Sequence, residues 1–484
     1  PLLDAAAFLL ETVESPKHVG MLQVFKAPAG KREQTVKRII EQYRASEVAE
    51  PFNFAPVIRK RAMPKWAKCN SLDMDYHVRR AALPQPGTQA ELLALATELH
   101  ATILDRSRPC WIAYVIEGLE KNQFAIYWKV HHAYIDGASG VMRMDAALAK
   151  SASSKKAVPL WAPLVDSKPV KKAVASKEKG ALFRNLNEQR LALKEVRAML
   201  RTVTLRSGGW LRDNQAPLPF TAPRASLNAA VSAPRALGIG SLAMKPLREV
   251  AKLKKISINE LALALVGDSL ERYMRASGET IEKPLIAACP MNVREEGNTD
   301  ASTQIAAITI KLGEPGANLS QRIEQVRESS ESAKRDAGSM SRNGLIDYLA
   351  VIGGVAELMD RSQLREYLPP LTNVNVSNVP GPREQRYLCG SKLVRTIPLS
   401  TLVGGTAINI TFFSMADRME FGVITDSASL PEAQVIADGI AKAFTRVQKQ
   451  PASKVSTRKV PASKSEAAQR SRKRVAKPIK QTAE

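Results

Sequence analysis

The clearest pattern in the chain is the run Phe124-Ala125-Ile126-Tyr127-Trp128-Lys129-Val130. It is apolar and aromatic enough for a buried strand, and the turn pair Lys121-Asn122 in front of it predicts that strand over 123–131. Upstream, Leu92, Leu95, Leu99 and Ile103 recur at helical spacing. They predict a helix from Gly87-Thr88 through Asp105 with this stripe turned inward. His100 lies beside the stripe and reads as a partly exposed helix residue. Beyond the strand, Ala138-Ser139-Gly140 permit a sharp exit, and residues 138–149 return as a helix. Later, Asn259 to Arg275 reads as a buried-to-amphipathic helix. Strands are predicted over 284–294, 303–312, 371–379, 406–414 and 418–426.

Composition divides this pattern into units. A chain of 484 residues exceeds one ordinary domain. Residues 1–149 form a first folded unit and 204–446 a second. Residues 150–180 are rich in Lys, Ser, Ala and Pro and read as a linker, with Trp161 as a docking anchor within it. Residues 181–203 predict an amphipathic connecting helix, with Leu182, Leu186, Leu193, Val196 and Leu200 near one face and five arginines and lysines adding charge. Such a helix lies at a membrane interface or packs on the enzyme body. Residues 447–484 repeat Pro-Ala-Ser-Lys and have almost no large apolar side chains, so this tail should be disordered.

Charge follows the same division. The net charge is +24, and residues 449–484 carry eleven Lys or Arg against two Glu. Residues 150–179 carry eight Lys against two acids. Near an anionic leaflet each such residue contributes about 1 kcal/mol, so these segments suit a surface tether. The tail's composition also suits non-specific nucleic-acid binding. No apolar run approaches the ~20 residues needed to span a bilayer. Cys69, Cys110, Cys289 and Cys389 are scattered without CxxC spacing, as expected of reduced thiols acting as buried apolar filler in a cytoplasmic protein.

Candidate chemistry is concentrated at His131-His132-Ala133-Tyr134-Ile135-Asp136-Gly137. Histidine titrates near neutrality and contributes about 10²–10⁴ in rate as a general base. Neighbouring residues in a strand point to opposite faces, so one of the two imidazoles faces any given site. We take His132 as the candidate base. The Asp136 carboxylate holds that ring, braces the turn or clamps an arginine. Two other readings remain. The His-x3-Asp spacing suits a metal ligand pair, although no other Cys/His cluster supplies further ligands. The histidine pair also suits a purely structural strand end.

The HHAYIDG segment resembles the HHxxxDG signature of the bacterial wax ester synthase/acyl-CoA:diacylglycerol acyltransferase family. Further segments resemble family elements in the same order: Ser15-Pro16-Lys17-His18-Val19-Gly20, Leu104-Asp105-Arg106-Ser107-Arg108-Pro109-Cys110-Trp111, Pro159-Leu160-Trp161, and Asn378-Val379-Pro380-Gly381-Pro382. The likeness runs from about residue 1 to about residue 446. It implies an α/β fold of two chloramphenicol-acetyltransferase-like domains with the active site at their interface. It implies transfer of a long-chain acyl group from acyl-CoA to diacylglycerol or a long-chain alcohol, with His132 as general base and His131, Asp136 and Gly137 beside it. Acyl-CoA is then a substrate, and neither cofactor nor metal is expected.

Asn259, Asn378, Pro380, Gly381 and Asn409 are candidates for the acyl-CoA or acceptor site. Two motifs depart from the pattern. Asn259-Glu260 stands where the family has Asn-Asp, and Ala407-Ile408-Asn409 stands where it has Gly-Leu-Asn. The two prolines of the Asn378–Pro382 segment remove ladder donors, so a rigid loop is predicted there. Arg294 is read as a structural ion pair or a contact to a phosphate of coenzyme A. The expected location is cytoplasmic, peripherally associated with the inner membrane or with lipid inclusions. A condensation-type acyltransferase on a non-lipid acceptor, and a non-catalytic granule- or nucleic-acid-associated protein, are the competing readings.

Overall fold

The strand predicted over 123–131 is present as Gln123–His131, and the rest of the first half is built around it. The computed structural model describes residues 7–59, 64–135, 137–164, 217, 220–292, 305–338, 367–402 and 405–449. The predicted helix 181–203, Arg294, Asp136 and the tail from 450 onward lie outside the described residues.

In chain order the first half holds β1 (His18–Lys26), α1 (Arg32–Arg44), β2 (Phe54–Val57), β3 (Lys65–Lys68), α2 (Met74–His77), β4 (Val78–Ala82), α3 (Gln89–Ala101), β5 (Trp111–Glu117), β6 (Gln123–His131) and α4 (Gly137–Ala147). The second half holds β7 (Arg235–Ala243), α5 (Met244–Lys254), α6 (Ile258–Ala276), β8 (Ile286–Asn292), β9 (Ile305–Lys311), α7 (Leu319–Gly338), β10 (Val374–Pro380), β11 (Tyr387–Leu388), β12 (Ser391–Leu399), β13 (Ile408–Met415), β14 (Arg418–Asp426) and α8 (Ala433–Lys449). One six-stranded sheet has the order β11-β12-β1-β6-β5-β4, the other β7-β14-β13-β10-β8-β9, and β2-β3 form a separate hairpin.

The first sheet is not built from the first half alone. β12 pairs antiparallel with β1, from Gly20 opposite Leu399 to Lys26 opposite Lys392, so part of the predicted 204–446 unit completes the N-terminal lobe. Arg386, just before β11, reinforces the exchange by donating to Asp145 of α4 at 2.7 Å. The close pairing of β1 and β6 depends on Gly20, because a Cβ there would lie 2.7 Å from the Tyr127 hydroxyl.

Helix α3 is shorter than the predicted 87–105 element and turns a different stripe inward. Leu92, Ala96 and His100 are its buried positions, whereas Leu95 and Leu99 are half-buried. Thr88 and Glu91 form a capping box at its start. At its end Thr102 is extended, and the Lys129 ammonium from β6 donates to the Leu99 and Thr102 carbonyls. A cation on the last carbonyls of a helix satisfies groups that have no intrahelical partner. His100 is therefore not the partly exposed residue predicted from the pattern. It is 3% exposed, and both ring nitrogens are bonded. Nε2 donates to the Ser400 carbonyl at 3.1 Å, and Nδ1 accepts from the Tyr127 hydroxyl at 2.8 Å.

The Asn378–Pro382 segment also differs from its predicted loop. β10 continues to Pro380, pairing parallel with β13 from Asn375 opposite Asn409 to Pro380 opposite Ser414. Its other neighbour, β8, pairs only at Val374 and Asn375. Past Asn375 the strand has one ladder partner, which accommodates a residue without an N–H. Trp161 is buried against Trp111 and Tyr43, as the docking reading predicted. Cys110, Cys289 and Cys389 are buried, but Cys69, next to the exposed end of β3, is only half-buried.

Candidate active site

The end of β6 separates the two adjacent imidazoles. His131 occupies the last strand position and shares a face with Lys129 and Tyr127. Its ring is fully buried and stacks on Phe8 with centroids 4.0 Å apart. Nδ1 accepts from the Ala133 N–H at 3.1 Å. In the neutral ring the proton then sits on Nε2, which faces Glu11 Oε2 at 3.6 Å. Burial, with the nearby His132, Arg106 and Lys17 charges, pushes its pKa down to about 3. This ring is held neutral and is covered by Phe8.

Glu11 organises that side. It accepts from the Lys17 backbone N–H at 2.8 Å and pairs with Arg106 at 2.9 Å. Arg106 comes from the Leu104–Trp111 element, so that motif holds the N-terminal segment, and with it Phe8, over His131. His18 of β1 donates through Nε2 to the His100 carbonyl at 2.6 Å, and its burial holds its pKa well below the usual histidine value.

His132 takes the opposite course. Its backbone N–H donates to the Lys17 carbonyl at 2.8 Å, which fixes the turn leaving β6. Its half-buried side chain lines a cavity of about 470 Å³. Trp128 and Val130 of β6, on the same strand face, line it too, as do Gly137, Val141 and Met144 of α4. The far wall comes from the second half of the chain: Ser377, Asn378 and Val379 of β10, with Thr411 and Phe413 of β13. Pro290 of β8 lines it where β8 diverges from β10, and Pro398-Leu399-Ser400 enter at the end of the exchanged β12. The walls are mostly carbon, so the imidazole faces a space suited to an alkyl chain and short of competing water.

The other candidates are placed as follows. Gly137 and Asn378 line the cavity. The Asn378 Oδ1 is buried and has no hydrogen-bond partner among the described residues. Asn409 is one layer behind: it donates to the Thr401 carbonyl at 3.0 Å and accepts at 3.1 Å from the hydroxyl of Thr411, itself a wall residue. Gly381 stands against Phe413, another wall residue, where a Cβ would come within 2.4 Å of the ring; Pro380 precedes it at the exposed strand end. Asn259 lies in the first turn of α6 and outside the cavity lining. Its neighbour Glu260 closes a capping box with Ser257 and binds Ser330 at 3.0 Å and Lys334 at 2.8 Å. The acid of this motif therefore fastens α6 to α7. Among the described residues no group of His, Cys, Asp or Glu is arranged to hold a metal ion.

Sequence reasoning did not single out Phe8, Glu11, Thr411 or the Pro398–Ser400 wall. Phe8 and Glu11 carry no local signal, because their role arises from contact with a strand more than a hundred residues away.

Two α/β lobes meeting at a histidine-lined cavity define the chloramphenicol-acetyltransferase-like class of acyltransferase folds. The first condensation domain of the calcium-dependent antibiotic synthetase shares this architecture, with a TM-score of 0.56 over 93% of this chain and 95% of its own at 15% identity, a likeness of fold alone. Within that class the assignment is sharper. The wax ester synthase/diacylglycerol acyltransferase catalytic domain matches residues 2–262, and the C-terminal domain of the same family matches residues 301–448. The O-acyltransferase WSD of Acinetobacter baylyi is 32% identical over 436 residues, covering 89% of this chain and 93% of its own. The wax ester synthase/diacylglycerol acyltransferase of Marinobacter aquaeolei VT8 superposes with a TM-score of 0.71 at 27% identity, over 92% of this chain and 97% of its own. The chain belongs to the wax ester synthase/diacylglycerol acyltransferase family.

Proposed function

We propose that this O-acyltransferase moves a long-chain acyl group from acyl-CoA to a lipid hydroxyl, either of diacylglycerol or of a fatty alcohol, with His132 as general base. The observation that carries this reading is the division of labour at the end of β6: His131 is sealed beneath Phe8, whereas His132 lines an apolar cavity walled by both lobes. The neutral His132 imidazole takes the proton from the acceptor hydroxyl as its oxygen attacks the thioester carbonyl. The tetrahedral intermediate collapses with cleavage of the C–S bond. The imidazolium then returns the proton to the departing thiolate, so the residue ends as it began. No covalent acyl-enzyme is needed. Gly137 and Asn378 stand at the cavity beside His132, and Asn409 supports its wall through Thr411.

An apolar cavity suits this chemistry, because each buried CH₂ of a chain contributes about 0.8 kcal/mol. The proposed site of action is a cytoplasmic lipid surface. Among the described residues no helix is long and apolar enough to cross a membrane. The fold shared with a condensation domain keeps an amine acceptor as the second reading. Palmitoyl-CoA supplied with equal hexadecanol, dioleoylglycerol and hexadecylamine distinguishes the two. Ester products with release of free coenzyme A support the proposal, and amide as the main product overturns it.

A further inference from the structure

The β2–β3 hairpin stands apart from both six-stranded sheets, and its surface has an unusual composition. Among its described residues, 54–59 and 64–68, it carries Arg59, Lys65 and Lys68 and no acidic residue. Every residue of β3 is exposed. Ile58 is 38% exposed and Trp66 36%, both large apolar side chains left in solvent. Among the described residues Arg59 and Lys65 have no carboxylate within ion-pair distance, whereas Lys68 has Glu50 at 3.6 Å. Single exposed apolar residues need no explanation on a protein surface. Here they occur together with uncompensated positive charge on one small hairpin.

The hairpin is also joined to the catalytic loop. The Trp66 ring meets Tyr134 edge-on at 4.8 Å and Phe8 at 5.5 Å. The Tyr134 hydroxyl donates to the Phe54 carbonyl of β2 at 2.6 Å. The chain neighbours of these two aromatic residues, Ala7, Ala133 and Ile135, line the His132 cavity. Leu9, next to Phe8, is a further exposed apolar residue at 48%. Aromatic and aliphatic side chains interleaved with Lys and Arg are the composition that settles at a membrane–water interface, with the rings at headgroup level and the cations on anionic lipid. A protein partner is a poorer match, since interface cores are depleted in lysine.

We propose that the β2–β3 hairpin is a docking surface for an anionic lipid bilayer, holding the Phe8 and Tyr134 side of the His132 cavity at the membrane that supplies the lipid acceptor. The inference rests on the lipid-acceptor reading for its purpose. Its test reads binding without turnover, so the two can fail separately. In the full-length chain, the Arg59→Glu/Lys65→Glu pair is compared with the unaltered protein on vesicles of phosphatidylcholine with phosphatidylglycerol at 0.1 M salt. Partition should fall at least about tenfold, because each basic residue near such a surface is worth about a factor of five. Turnover of a short-chain alcohol in solution should stay within twofold.

A second measurement locates the contact. The Lys65→Cys variant in a Cys69→Ala background, carrying an environment-sensitive dye, should shift to the blue with anionic vesicles and remain unchanged with pure phosphatidylcholine. Unchanged partition in the charge-reversed pair overturns the proposal, as does a silent dye while the protein is vesicle-bound. An equal dye response to duplex DNA also overturns it, by assigning the hairpin to polyanions in general.

Discussion

Removing each imidazole of the tandem pair in turn should separate chemistry from structure. In His132→Ala the lost ring borders a cavity, so little packing disappears. The bond that fixes the turn, from the His132 N–H to the Lys17 carbonyl, belongs to the backbone and survives. Stability should change by less than about 1 kcal/mol. Turnover should fall by about 10²–10⁴, the usual contribution of a general base, which is about 3–5 kcal/mol in the barrier. His131→Ala should do the reverse. It empties a fully buried site, removes the ring stacked on Phe8 and leaves the Ala133 N–H without its acceptor. The cost should be about 3–5 kcal/mol, as for other buried aromatic rings cut to alanine. Activity per folded molecule should drop far less than in His132→Ala. Coenzyme A release, followed with a thiol reagent, and urea unfolding by circular dichroism measure the two quantities on the same preparations. The reasoning is refuted if His132→Ala keeps more than a tenth of the turnover, or if it loses as much stability as His131→Ala.

Acid should unfold the protein early. Burial pushes His100 and His131 down to about 3 and His77 to about 4, and it lowers His18 as well. Because these folded-state values lie below the unfolded one, the unfolded chain binds more protons below about pH 6.5. The stability is complete above that pH and is lost as pH falls toward 4, by about 1.4 kcal/mol per pH unit for each histidine. A urea midpoint that is the same at pH 7 and pH 5 would contradict this. In Gly381→Ala the new Cβ would meet Phe413 at 2.4 Å and the Ser414 carbonyl at 2.5 Å. The variant should lose about 1–3 kcal/mol by thermal unfolding and also lose turnover, since Phe413 walls the cavity. Glu260→Ala strips the Ser257 N–H and the Ser330 hydroxyl of their acceptor, and should cost about 1–2 kcal/mol without altering turnover per folded molecule. Glu260→Asp should restore part of that, and selective loss of turnover in either variant would instead place this acid in the chemistry.

Local periodicity made individual elements legible. The β6 boundaries agree with the sequence, and α6, predicted over 259–275, runs from Ile258 to Ala276. Both are decided by neighbours along the chain: a turn signal before a continuous apolar run, and Ser257 with Glu260 opening a helix. Helix α3 was read less well. The pattern assigned its inward face by hydrophobicity, but His100 is buried through two hydrogen bonds to Tyr127 and Ser400, and hydropathy does not register satisfied polar groups. Pro380 was misread for a similar reason: the cost of proline in a strand depends on whether the second edge is paired, and β8 has already left β10 at that point.

By itself the sequence determined the histidine-bearing strand, the order of the motifs and the family likeness, because each depends on residue identity over a short span. Tertiary structure alone decided which imidazole is covered and which lines the cavity, since Phe8, Glu11 and Arg106 converge on His131 from distant segments. It also decided how the cavity closes. β12 crosses to pair with β1 some 380 residues earlier, Gly20 opposite Leu399, and carries Pro398–Ser400 into the wall. Hydrogen bonds between remote strands leave no periodic trace along the chain, so that arrangement exists only once the two lobes have folded together.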